Sequence, residues 1–413
     1  MAARIAYFSK NLLLYFLSFG HGLKHVLSSS VSVMLPFIKE SLSLTGVQIG
    51  YLASANSISA GLINFPAGIL SDIFKKRVGV IIGFSALILS LGFFLVSKIS
   101  YDNWVLLGFI SFILIGAGAN LWHPPAFSVL SYKYPQKKAF ALGVHLSAAS
   151  AGNTLGPLLT GLILGGIAFN KINFEPIDWD NLSLIMSIIS LVLSLIIFTF
   201  SSKIFIESTE KINLKVYISK TLESLRRIQV ITMVLLHALR QSVHSAFTVY
   251  LLIYLKEFLD FSPFKIGFYF SLIGISGILF TPIWGSVSDK IGRLPVITIG
   301  MLLTSIFIFL LRFGTDDISL LILLLLLGCV LFAIIPVIAA AAMDFTVKGT
   351  EGTSVSLLFT GGAVLGSLSP IVAGYIYDLN GFNSVITLTS LLSLIGAFIS
   401  LLGWIFFKKQ VKG

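Results

Sequence analysis

The sequence predicts an all-α membrane protein, with twelve transmembrane helices arranged as two six-helix, pseudo-symmetric bundles. Three observations predict this. Hydrophobic residues make up 56% of the 413 and charged residues only 11%, against about 25% charged in soluble domains. The apolar residues fall into twelve long continuous stretches. The second half of the chain also repeats the first. A soluble fold of this length cannot hide so much apolar surface in one core. Cys329 is the lone cysteine, which excludes an intrachain disulfide scaffold.

The stretches run over 11–36, 46–70, 78–97, 103–127, 139–165 and 181–202, then 229–255, 264–287, 294–313, 318–342, 352–376 and 384–407. Each is long enough to span hydrocarbon as a helix. Barrel strands would be short and alternating. The first stretch is too long for a cleavable leader and lacks a small-residue cleavage site, so it is expected to remain as a helix. The longest polar segment, 203–228, mixes charges of both signs and reads as a cytoplasmic linker. It divides the chain into a bundle over 1–202 and a second over 229–413, which ends in a short basic tail that includes Lys408 and Lys409.

Charge sets the expected orientation. With both termini cytoplasmic, 20 of the 28 Lys and Arg lie inside, 6 lie outside and two lie in the membrane. The inside set includes Lys75, Lys76, Arg77, Lys133, Lys137, Lys138, Arg226 and Arg227. All 17 acids fall outside the membrane. The reverse orientation breaks the positive-inside rule at nearly every loop. The net charge of +11 therefore calls for a bilayer and no nucleic acid. The expected location is the inner or plasma membrane.

The segment 44–72 aligns without gaps to 261–289, pairing Gly50 with Gly267, Gly68 with Gly285 and Asp72 with Asp289. His21 and Lys24 fall on His237 and Arg240 at an offset of 216, and Pro124 falls on Pro336 at 212. A parallel repeat of this kind places substrate near the midplane, between the halves. Gly285, Asp289, Gly292 and Arg293 follow the spacing G-x-x-x-D-x-x-G-R, and by this motif the chain resembles the major facilitator superfamily over essentially its whole length. The first copy, Gly68 to Arg77, has Lys75 where the motif has its second glycine. Asp72, Arg77, Asp289 and Arg293 are accordingly expected to form cytoplasmic latches. Gly143, Gly152, Gly156, Pro157 and Gly161 resemble the superfamily's antiporter motif, with the last glycine one residue late. That resemblance implies efflux or exchange, with Gly152, Gly156 and Pro157 as gating positions; close helix packing is the other reading. The stretch Gly116 to Pro125 resembles the branch that contains the bacterial fosmidomycin resistance protein, whose drug is a phosphonate.

The two membrane charges carry the chemistry. Lys24 lies about 20 Å along its helix from either end, too far to snorkel out, and Arg240 is equally central. Such charges are costly and face a cavity or a partner. No membrane carboxylate is present to pair them, so a diffusible anion is the expected partner. His21, Lys24, His25 and Ser28 share one helical face, and His237, Arg240, Gln241 and His244 repeat it. Arg240 can fork onto carboxylate or phosphonate oxygens. All six histidines lie in predicted helices. With no buried acid, His21 and His237 are the expected proton carriers if flux is coupled. His123 and His145 read as gate or packing residues. Asn56, Asn120, Asn153 and Tyr250 are further cavity candidates, or else helix-to-helix hydrogen bonders.

The expected function is secondary transport of a small organic anion by a monomer. No P-loop pattern occurs, and no nucleophile–base set points to an enzyme. No cofactor is expected, and no metal: a cation beside Lys24 and Arg240 is electrostatically poor. A multidrug permease, a sugar permease or a non-transporting membrane receptor of the same fold remains as an alternative.

Overall fold

The computed structural model describes residues 2–169, 172–207, 219, 223, 226–314, 316–345 and 351–407. Most of the expected linker and the basic tail with Lys408 and Lys409 lie outside the described residues. Fifteen α-helices occur among the described residues.

The first half comprises α1 (Ala2–Ser41), α2 (Gly46–Ile73), α3 (Val78–Val96), α4 (Phe109–Leu121), α5 (His123–Lys133), α6 (Lys138–Gly165) and α7 (Trp179–Phe200). The second comprises α8 (Ile228–Glu257), α9 (Pro263–Ile291), α10 (Arg293–Leu310), α11 (Asp317–Leu331), α12 (Ile335–Asp344), α13 (Glu351–Gly366), α14 (Ser369–Asn380) and α15 (Phe382–Phe407). A short antiparallel pair, β1 (Ile167–Phe169) and β2 (Ile172–Phe174), sits between α6 and α7.

Three of the twelve apolar stretches are broken in two. Proline cannot donate an amide and clashes with the preceding turn. The fourth stretch accordingly splits into α4 and α5 just before Pro124, the tenth into α11 and α12 beside Pro336, and the eleventh into α13 and α14 beside Pro370. Pro36, Pro66, Pro157 and Pro282 are instead carried inside continuous helices. The start of α11 is capped by Asp316, whose Oδ1 accepts from the amides of Ile318 and Ser319. Hydrogen bonds from Ser319 hold this carboxyl below its usual range.

Among the described residues, eight helical segments are apolar and long enough to cross a membrane by themselves. Four others, α1, α2, α6 and α8, are equally long but more polar. Two of these, α1 and α8, carry the central bases.

The chain forms two compact units. The first contains 1–38, 58–212 and 262–267, and the second contains 39–57, 213–261 and 268–413. Each unit therefore takes in a short segment from the other half of the sequence. Inside the first unit, α3 and α7 are joined by serine hydroxyls that donate to facing carbonyls: Ser190 to Ala86 at 2.8 Å and Ser194 to Gly83 at 2.9 Å. Inside the second, α10 and α15 repeat the device, with Ser393 donating to Met301 at 2.7 Å and Ser400 to Leu294 at 3.0 Å. Small residues with such bonds join helices where lipid supplies no hydrophobic drive.

Also in the second unit, the 39–57 segment is tied to α8 and α14. Lys39 pairs with Glu257, and Lys256 pairs with Glu40 at 3.3 Å. Asp378 accepts from the amides of Gly46 and Val47 at 2.7 and 2.9 Å, capping α2 from a distant part of the chain.

Candidate functional site

Lys24 lies in the middle of α1 and is 1% exposed. Its Nζ donates to the Ala119 carbonyl at 2.8 Å and to His123 Nε2 at 3.1 Å. Arg240 lies in the middle of α8 and is 4% exposed. Its Nε and Nη2 both donate to the Leu331 carbonyl, at 3.0 and 2.9 Å, and its Nη1 donates to Gln241 Oε1 at 3.1 Å. Phe332 lies under the guanidinium, 5.7 Å from ring centre to Cζ.

These two dockings are copies of one another. Ala119 and Leu331 are 212 residues apart, the offset that also relates Pro124 to Pro336. Each base thus binds a carbonyl five residues ahead of the proline that breaks its facing helix. A proline break interrupts amide–carbonyl pairing and leaves acceptors to be satisfied. At the second break the Ile335 amide turns to Phe332 at 3.4 Å, and Leu331 is left to the guanidinium. The repeat in sequence is therefore also a repeat of contacts.

A backbone carbonyl is an acceptor without net charge. Among the described residues, neither Lys24 nor Arg240 has a carboxylate partner. Of five guanidinium N–H groups, three are used among the described residues. Among the described residues the remaining two, one on Nη1 and one on Nη2, have no acceptor and can donate to an anion.

The histidines expected to flank the bases are gathered more tightly in the first unit than their spacing foretold. His21 Nδ1 donates to the His145 carbonyl at 2.9 Å, and its Nε2 lies 3.2 Å from His123 Nδ1 and 3.2 Å from His25 Nε2. His25 Nδ1 donates to Asn153 Oδ1 at 2.9 Å. The His145 ring stacks on His21 at 3.9 Å, and neither of its buried nitrogens has a partner among the described residues. In the second unit the histidines stay apart. His237 is 3% exposed with its edge on Phe359, and His244 packs on Phe332.

Sequence reasoning left His123 and His145 as gate or packing residues. The only available signal was that His123 directly precedes Pro124-Pro125, so the helix break re-aims it toward α1.

Other expected positions have plainer surroundings. Asn120 donates back to Gly116 on its own helix at 3.0 Å. Gln241 serves Arg240 and donates to Ser245 at 3.1 Å. Tyr250, expected either at the cavity or as a helix-to-helix hydrogen bonder, has the surroundings of the second. It is fully buried, and its hydroxyl proton is shared between the carbonyls of Pro370 at 2.7 Å and Gly46 at 2.9 Å. It joins helices.

The two expected latches differ. Arg293 pairs with Asp289 and with Asp344 at 3.2 Å, and donates to Ser288 at 2.6 Å. A cavity lined by Arg227, Arg293, Asp344 and Trp404 opens beside this network. Gly292 makes the turn at φ +97, a conformation that favours glycine. In the first copy Lys75 replaces that glycine. Here the chain forms a short 3₁₀ turn over Lys75–Arg77, leaving Asp72 and Arg77 exposed. On α6, a Cβ at Gly152 would strike the Gly22 carbonyl, and one at Gly156 would strike Ser29 Oγ and the Val26 carbonyl. These glycines let α6 close on α1 beside the histidine cluster.

A repeated six-helix unit with one buried base per repeat defines a polytopic membrane carrier. The chain belongs to the Major Facilitator Superfamily, whose family model matches residues 17–280 and 233–412. A stretch of 126 residues is 35% identical to the multi-drug resistance efflux pump PmrA of Streptococcus pneumoniae, covering 30% of this chain and 31% of that protein. Another of 145 residues is 26% identical to the hexuronate transporter of Bacillus subtilis, covering 34% and 31%. The chain thus spans about a third of the length of the curated relatives it matches. Among solved structures, it is similar to an inward-facing, unoccupied bacterial homologue of the human lysosomal transporter Spinster, with a TM-score of 0.81 at 16% identity. That match covers 97% of this chain and 98% of the other. A point mutant of the nucleoside transporter NupG matches with a TM-score of 0.74 at 14% identity, covering 94% and 99%. At these identities the likeness concerns the fold.

Proposed function

We propose that the chain is a secondary transporter of a small organic anion (a carboxylate, phosphate ester or phosphonate), working by alternating access in efflux or exchange. One observation carries this reading. The two buried bases at equivalent repeat positions are hydrogen-bonded only to neutral groups among the described residues, so their charge is unanswered. An anion answers it. Buried charge is costly to maintain, and a ligand that neutralises it gains affinity from that cost. Partial likeness to a transporter of hexuronates, which are sugar acids, accords with an anionic substrate. The glycines of α6 and the partial likeness to a multidrug efflux pump support outward movement.

A double-mutant cycle on anion binding to purified protein tests the reading. Lys24→Gln and Arg240→Gln should each lose roughly 2–5 kcal/mol, and the cycle measures the coupling between the two positions. Arg240→Lys should also weaken binding, because it keeps the charge but removes the planar fork. Wild-type anion affinity in both Gln variants, or tight binding of organic cations by the native protein, would return the multidrug and sugar readings to the front.

A further inference from the structure

His21, His25 and His123 bring one ring nitrogen each into a group whose members all lie within 4.8 Å of one another. Their hydrogen bonds determine which nitrogens are bare. The His145 carbonyl can only accept, so His21 Nδ1 carries its proton and neutral His21 leaves Nε2 as a lone pair. Asn153 Oδ1 likewise accepts, so His25 Nδ1 carries its proton and Nε2 is bare. These two bare nitrogens face each other at 3.2 Å. His123 Nδ1–H donates to His21 Nε2 at 3.2 Å, which leaves His25 Nε2 facing the same nitrogen with no proton between them. A cation between them takes the place of that proton.

We propose that His21 Nε2, His25 Nε2 and His123 Nδ1 form a binding site for a divalent transition-metal ion. Histidine nitrogens bind zinc at about 2.0–2.1 Å in tetrahedral sites, which sets ligand separations of about 3.3 Å. The two 3.2 Å separations from His21 Nε2 meet that requirement. The bonds to the His145 carbonyl and Asn153 are the outer contacts that orient ligating histidines in metal sites. His21 is buried, while His25 and His123 are of intermediate burial. Among the described residues, the titratable or charged neighbours of the group are the His145 ring, stacked on His21 at 3.9 Å, and Lys24 Nζ, 3.1 Å from His123 Nε2 on the side of that ring away from His21; Lys24 is the charged one. The Lys24 charge opposes a bound cation. While Lys24 donates to Nε2, the His123 proton sits on Nδ1. For Nδ1 to ligate, that proton leaves and Nε2 takes one from Lys24, so binding releases one proton and tightens as pH rises.

The test is titration of the tag-free, full-length protein with Co²⁺, read by its visible d–d absorption, followed by displacement with Zn²⁺. One saturable equivalent with the intense band of a tetrahedral site is expected. His25→Gln and His123→Gln should abolish the band. Asn153→Ala, which keeps all three ligands, should weaken binding roughly 10–100-fold. Lys24→Gln should strengthen it. His237→Gln and His244→Gln, in the other unit, should leave it unchanged, and wild-type melting temperatures in these variants separate loss of ligands from loss of fold. Absence of saturable Co²⁺ binding by the native protein, or an undiminished band in His25→Gln and His123→Gln, overturns the assignment. Neither result bears on the anion cycle, which is measured without metal.

Discussion

Tyr250 shows how a residue's role follows from what its polar atom meets. In sequence it is an amphipathic side chain on the same helix as Arg240, and substrate contact is a fair expectation. In the structure its hydroxyl is buried on two backbone carbonyls, and Gly374 approaches it so closely that a Cβ there would collide with the hydroxyl. Tyr250→Phe leaves those carbonyls without a side-chain donor, at a cost of about 1–3 kcal/mol. Thermal unfolding in detergent should show the loss, while anion affinity stays at the wild-type value. A large fall in affinity without loss of stability would restore Tyr250 to the binding site.

At the scale of elements, the glycines of α6 divide by what they face. Gly152 and Gly156 lie against the backbone and side chains of α1, whereas nothing lies within 4 Å of a Cβ placed at Gly143. Glycine to alanine adds intrinsic helix preference of about 1 kcal/mol, but overpacking a tight contact costs about 1–3 kcal/mol. Gly143→Ala should therefore be neutral or mildly stabilising. Gly152→Ala and Gly156→Ala should lower the melting temperature and disturb the histidine cluster that α1 and α6 share. Equal melting temperatures in all three variants would remove the close contact as the reason for glycine at 152 and 156. The spacing of these glycines is legible in the sequence; which of them touches α1 is not, because a pattern of small residues does not name its partner helix.

At the scale of the whole molecule, the charge asymmetry of the loops predicts that both termini and the 203–228 segment face the cytoplasm. Fusions of a reporter active only in the cytoplasm, placed within 203–228 and after 413, should both be active. Activity confined to a periplasmic reporter at either place would invert the topology. Orientation rests on the sum of many loop charges and not on any single contact. It therefore belongs to the sequence as a whole, and single substitutions among the loop lysines should leave it unchanged.

Composition, apolar run length and the internal repeat were enough to determine a helical membrane protein of two related halves, because the bilayer demands long apolar helices whatever their packing. They also marked Lys24 and Arg240, because charge at mid-membrane stands out in any apolar run. Contacts between distant segments were decided only by the tertiary structure. The carbonyls of Ala119 and Leu331, each five residues before a proline that breaks the helix, receive the two bases. The His21, His25 and His123 nitrogens converge because α1 packs beside that first break and α6 closes in with Asn153 and the His145 carbonyl. Periodicity places a residue on a face of its own helix. Which face of which other helix it meets depends on packing between segments about 100 residues apart, and no local pattern encodes that.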